Sequence, residues 1–113
     1  MIRFLDGPAE GTPLDLRRAP VLLRVVIDQD GTVDALDQLD DTPKDSETIY
    51  VYYRDGEVSR GFMCSRGRGG KGCQLILSAD YRLHAEQPDV RATERWQEWC
   101  VAKQVIGIND ATT

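Results

Sequence analysis

Apolar and polar residues alternate along much of this chain with the period of two that a half-buried strand requires. From Cys73 to His84 the alternation is unbroken. Cys73, Leu75, Leu77, Ala79, Tyr81 and Leu83 fall on one side and Gln74, Ile76, Ser78, Asp80, Arg82 and His84 on the other, which predicts a long strand with one buried face. Val21-Leu22-Leu23-Arg24-Val25-Val26-Ile27, after Pro20, is the most continuously apolar stretch, and its β-branched residues suit a central strand. Met1 to Leu5 is a short apolar run closed by Asp6-Gly7-Pro8, and Leu14-Asp15-Leu16-Arg17 resumes the alternation after a turn.

Between Thr48 and Cys64, Asp55-Gly56 separates two alternating runs and can supply the positive φ angles of a tight hairpin turn. Folding there would set Arg54 opposite Glu57, Tyr52 opposite Ser59 and Tyr50 opposite Gly61. Ile49, Val51, Tyr53, Val58 and Phe62 would then form the core face, with Tyr50 and Tyr52 on the other. Downstream, Asp89 is positioned to cap a helix whose apolar positions Ala92, Trp96, Trp99 and Cys100, extending to Ile106, recur at spacings of three and four, with Arg91, Glu94, Arg95, Glu98 and Lys103 outside. The expected fold class is α+β: a small antiparallel sheet of about five to six strands, flat or curved towards a barrel, covered by the C-terminal amphipathic helix.

At 113 residues, residues 1–108 are expected to form a single globular domain, with 109–113 as a disordered tail. No apolar run approaches the roughly 18 residues of a membrane-spanning helix, and Met1-Ile2-Arg3-Phe4-Leu5-Asp6 lacks the apolar region of a signal peptide. With three cysteines, an odd count, the expectation is a reducing, cytoplasmic setting.

The formal charge of -5 argues against a general nucleic-acid coat, but its distribution matters more than its value. From Asp28 to Glu47, Asp28, Asp30, Asp34, Asp37, Asp40, Asp41, Asp45 and Glu47 face the single Lys44, a block of -7. If Val33, Leu36 and Leu39 pack inward as a helical face, Asp34, Asp37 and Asp41 align outside it, a row that repels itself unless a basic partner receives it. Opposite in sign is Ser65-Arg66-Gly67-Arg68-Gly69-Gly70-Lys71-Gly72, three cations among four glycines. A phosphate-binding P-loop is excluded there: Ser65 stands where the first glycine belongs, Gly72 where the hydroxyl belongs, and a strand follows instead of a helix. What remains is a cationic tip for a phosphate or an acidic surface.

No metal or cofactor is expected. Asp28-Gln29-Asp30-Gly31 misses calcium-loop spacing, with glycine fourth instead of sixth. Cys64, Cys73, His84 and Cys100 lack the paired-cysteine knuckle of a zinc site and read first as thiols, with a Cys64–Cys73 disulfide or shared metal as alternatives. A single histidine, paired carboxylates only in the acidic block, and the absence of hydrolase, protease or dinucleotide motifs give no catalytic set, so no enzyme is expected.

Phe4-Leu5-Asp6-Gly7-Pro8-Ala9-Glu10-Gly11, followed by a strand and later by Ile49-Tyr50-Val51-Tyr52-Tyr53-Arg54, resembles small uncharacterised proteins of bacteriophages and bacterial mobile elements. Those often open with a strand running into a G-P-x-x-G turn. Here Asp6-Gly7 stands where a doubled glycine is common. The resemblance implies no catalytic residue and a setting in which compact acidic proteins act by binding, including inhibition of host defence nucleases. The leading expectation is therefore a protein-binding module. Asp30, Asp34, Asp37, Asp40, Asp41, Asp45 and Glu47 would meet a basic partner surface, and Arg66, Arg68 and Lys71 would make secondary contacts. One alternative is nucleic-acid binding by that tip, with Tyr50 or Tyr52 as stacking platforms. Another is a virion or assembly component, which would self-associate.

Overall fold

A computed structural model of the protein describes residues 1–36, 42–64 and 72–103. Five strands form one curled half-barrel sheet: β1 (Ile2–Phe4), β2 (Leu22–Ile27), β3 (Val33–Leu36), β4 (Thr48–Cys64) and β5 (Cys73–Leu83). Their spatial order is β1-β5-β4-β2-β3, and one helix, α1 (Thr93–Ala102), follows. The α+β class holds, but the sheet is mixed: β1 lies parallel to β5, with Ile2 opposite Ala79 and Phe4 opposite Tyr81. Parallel pairing follows from the long excursion between β1 and β2, which lets the N-terminus return to the far edge.

The inner face of the curl buries Ile2, Phe4, Leu23, Val25, Tyr52, Leu77, Ala79 and Tyr81. Its lid is the segment 5–21, which contributes Ala9, Ala19, Leu14 and Leu16 to the same core. Polar inner-face side chains fasten that lid. Tyr52 Oη accepts the Ala9 N–H at 3.0 Å and donates to the Asp6 carbonyl at 2.9 Å. Tyr81 Oη donates to the Pro20 carbonyl, and Arg54 Nη1 donates to the Ala19 carbonyl at 2.7 Å. The outer face carries a smaller core in which Trp96 and Cys100 of α1 meet Leu22, Val51 and Val90.

Several expectations need correction. Asp55-Gly56 does not turn the chain: β4 runs through it as one strand of 17 residues. Gly56, at φ 86, supplies the left-handed backbone of a bulge between Asp55, opposite Asp80, and Ser59, opposite Ser78. The hairpin instead joins β4 to β5, with Cys64 opposite Cys73. Tyr52 therefore faces Leu23 and Leu83, and Gly61 faces Ile76. The expected core face splits accordingly: Val51 is buried outward, Val58 packs against the inner core, and Phe62 stands 74% exposed.

Val33–Leu36, with Asp34, is a strand antiparallel to β2 and not the expected helical face. Asp37 and Asp41 themselves lie outside the described residues. Leu14 makes only an isolated bridge to Ile2. Helix α1 begins after Ala92 without a side-chain cap, and Asp89 is not its N-cap. The proposed tail, 109–113, lies outside the described residues.

Candidate partner-binding surfaces

Register brings the described acidic residues to one corner of the sheet. Ile27 of β2 pairs with Val33 on one side and Thr48 on the other, so the β2–β3 turn and the turn entering β4 share one end. Asp28 builds the first turn: its carboxylate accepts the N–H groups of Asp30 at 2.9 Å and Thr32 at 3.0 Å, and Gly31 takes φ 84. Glu47 builds the second by accepting the Lys44 N–H at 2.7 Å. Arg91 donates to the carbonyls of Lys44 and Glu47 and ties this turn to the approach of α1.

With Asp28 and Glu47 engaged by backbone, Asp30, Asp34 and Asp45 are exposed and form no ion pair among the described residues. Asp34 accepts only the neighbouring Ala35 N–H, at 2.8 Å. It stands on β3, an edge strand whose outer side pairs with no strand among the described residues. Asp37, Asp40 and Asp41 of the acidic block, and Arg66, Arg68 and Lys71 of the cationic tip, fall outside the described residues.

The stacking-platform expectation fails for Tyr52, which is wholly buried. Burial pushes its hydroxyl pKa up, outweighing the lowering effect of the Ala9 N–H. Tyr50 is half-buried and packs against the inner core. An aromatic row lies instead on the outer face, from half-buried Tyr53, His84 and Trp99 to buried Trp96: Tyr53 to His84 at 5.9 Å, His84 to Trp99 at 5.1 Å and Trp99 to Trp96 at 5.8 Å between ring centres. His84 Nδ1 accepts the Glu86 N–H at 3.0 Å. Lys103 lies 5.5 Å over Trp99 and pairs with Glu86 at 2.6 Å, which holds Glu86 below the ordinary carboxylate range.

Cys100 is buried in the outer core, and desolvation pushes its thiol up to about 11, so it stays protonated at neutral pH. Among the described residues no three His, Cys, Asp or Glu side chains are gathered to hold a metal ion. An open groove of about 390 Å³ lies where β4 leaves register, lined by Arg3, Glu57, Ser59, Ser78 and Asp80, but Arg3 already pairs with Asp80 at 2.9 Å.

Sequence reasoning missed Arg24, which is wholly buried, donates to the Val90 carbonyl at 3.2 Å and lies 5.2 Å from the Trp96 ring centre. Its signal was present: one cation inside the most apolar run of the chain. Comparison with known proteins finds no matching family model, no matching curated protein and no matching solved structure.

Proposed function

We propose that this protein is a non-enzymatic binding module whose acidic corner engages a basic surface on a protein partner. The observation that carries the reading is the exposed set Asp30, Asp34 and Asp45, which forms no ion pair among the described residues and lies in and beside the β2–β3 turn and the turn entering β4, at one end of the sheet. Asp28 and Glu47 shape the backbone there, while Asp30, Asp34 and Asp45 are exposed and offer their charge outward. In its sharpest form the partner is a nucleic-acid-handling protein of a bacterial host. Carboxylates would then occupy positions that receive phosphates, and inhibition would be steric and electrostatic, in line with the phage-like resemblance.

The test uses wild type and an Asp30→Asn/Asp34→Asn/Asp45→Asn variant as baits in a bacterial lysate, followed by association kinetics with the captured protein. The expected partner is basic. The variant should keep its secondary structure and associate roughly tenfold more slowly at low salt, with the difference shrinking as salt rises. Equal association rates for both proteins at low salt would overturn the reading.

A further inference from the structure

Three aspartates are followed directly by glycine: Asp6-Gly7, Asp30-Gly31 and Asp55-Gly56. Each glycine takes a positive φ, 73 at Gly7, 84 at Gly31 and 86 at Gly56. Such pairs are open to a reaction of the chain with itself, because no side chain on the glycine shields its amide nitrogen from the neighbouring carboxyl carbon. Attack of that nitrogen on the aspartate Cγ closes a succinimide ring. In a folded chain this requires a carboxyl free to swing onto its own backbone and a backbone free to follow.

The fold separates the three pairs on both counts. Asp6 Oδ1 accepts the Leu83 N–H at 2.6 Å, and the Asp6 carbonyl accepts the Tyr52 hydroxyl at 2.9 Å. Gly7 has no room to move either, since a Cβ there would lie 2.5 Å from Tyr52 Oη. Asp55 Oδ2 accepts from Arg82 Nε at 2.8 Å, and Asp55 stands opposite Asp80 inside the long strand β4. Asp30 differs. It is exposed, its carboxylate accepts no hydrogen bond and forms no ion pair among the described residues, and the space around Gly31 is open. Its backbone is held only within the turn: the Asp30 N–H donates to Asp28 Oδ1 at 2.9 Å and the Gly31 N–H to the Asp28 carbonyl at 3.1 Å. That turn leads into β3, a four-residue strand at the sheet edge, and short edge elements open at the low end of the scale of local unfolding.

We propose that Asp30-Gly31 is a site of spontaneous isoaspartate formation, the one among the three Asp–Gly pairs that the fold leaves reactive. The Gly31 nitrogen bonds to Asp30 Cγ, and the carboxyl hydroxyl leaves with the amide proton as water. Water then opens the ring. Attack at the Asp30 main-chain carbonyl carbon breaks its bond to the Gly31 nitrogen, so the peptide link runs through Cγ and the former main-chain carbonyl becomes the free carboxylate. Attack at Cγ restores aspartate. One water is lost and one regained, so no oxidant or cofactor enters and the mass is unchanged. The product has an extra methylene in the main chain between the two amides that Asp28 clasps, the Asp30 N–H and the Thr32 N–H at 3.0 Å. The longer spacing weakens that double clasp and loosens β3 from β2. This reactivity does not depend on what the acidic corner binds.

Peptide mapping by liquid chromatography and mass spectrometry tests the site, on full-length protein incubated for weeks at physiological temperature and neutral pH. The peptide containing Asp30 should acquire an isobaric, separately eluting form that accepts methyl groups from S-adenosylmethionine through an isoaspartyl methyltransferase. It should accumulate at least about tenfold faster than any such form at Asp6 or Asp55, whose carboxylates must first give up a charge-assisted hydrogen bond. In urea, where the fold is lost, the three pairs should convert at similar rates. Asp28→Ala, which frees the turn, should speed the reaction at Asp30 several-fold, and Asp30→Glu, whose longer side chain closes the ring poorly, should abolish it. Circular dichroism of both variants checks that the fold is kept, and amide exchange in β3 should be faster in aged protein than in fresh. No isoaspartate at Asp30 while the urea sample converts, equal rates at the three pairs in folded protein, or an earlier product at Asp6 or Asp55 would overturn the proposal.

Discussion

Gly7 shows at single-residue scale how this chain joins a local backbone requirement to a tertiary one. It takes φ +73, and a Cβ built there would lie 2.5 Å from the Tyr52 hydroxyl and 3.0 Å from Leu83 Cβ. Gly11 has a similar φ of +83 but open space around it. Gly7→Ala should therefore destabilise the protein by about 2–4 kcal/mol and Gly11→Ala by only about 1, because the first adds a clash with a hydrogen-bonded core tyrosine to the same left-handed strain. Urea unfolding of the two variants checks this, and equal losses would show that backbone strain alone decides. The turn at Asp6-Gly7-Pro8 was legible from composition. Its contact with Tyr52, 45 positions later in the sequence, was not, since no local pattern records which strand a turn will touch. Arg24 is a parallel case: the sequence marks it as anomalous, and only the packing of Trp96 and the Val90 carbonyl around it gives the reason.

At the scale of elements, one amide side chain anchors the start of the connection from β5 to α1. Gln87 Oε1 accepts the Val51 N–H at 2.8 Å, and its Nε2 donates to the carbonyls of Val51 at 2.9 Å and His84 at 2.8 Å. The side chain stands in for a strand rung just where β5 has ended at Leu83. Gln87→Ala strips that partner from a part-buried N–H, so a loss of about 1–3 kcal/mol is expected, with a shift in tryptophan emission as α1, which carries Trp96, loosens from Leu22 and Val51. An unfolding midpoint and emission spectrum equal to wild type would show that water replaces the amide. Strand positions from Cys73 to Leu83 were readable because one face there is buried, with Leu77, Ala79 and Tyr81 inward. The partner of β4 was not, because Asp55-Gly56 satisfies the local chemistry of a tight turn and of a bulge alike. The choice fell to the bulge because the long β5 offers a continuous partner on both sides of it.

Across the whole molecule, burial raises the proton affinity of three groups together: Tyr52 and Tyr81 from an ordinary value of 10.0, and Cys100 from 9.0 to about 11. A folded-state pKa above the unfolded one contributes stability that is intact below the unfolded value and lost as pH rises through the folded value. Unfolding midpoints should thus show no loss from these groups below about pH 8.5 and fall steadily above about pH 9, while native Cys100 resists alkylation at neutral pH. A midpoint flat to pH 11 would mean that these sites open freely to solvent. By itself the sequence determined the α+β class, the strands near Ile2–Phe4, Leu22–Ile27 and Cys73–Leu83, the apolar stripe of Trp96 and Cys100, and the opposite signs of the acidic block and the glycine-rich tip, because periodicity and charge are local properties of the chain. Tertiary structure alone decided that β1 pairs in parallel and that Tyr52 is a buried clasp and not a platform. Those outcomes depend on which distant surfaces bury one another, and a linear pattern carries no term for that.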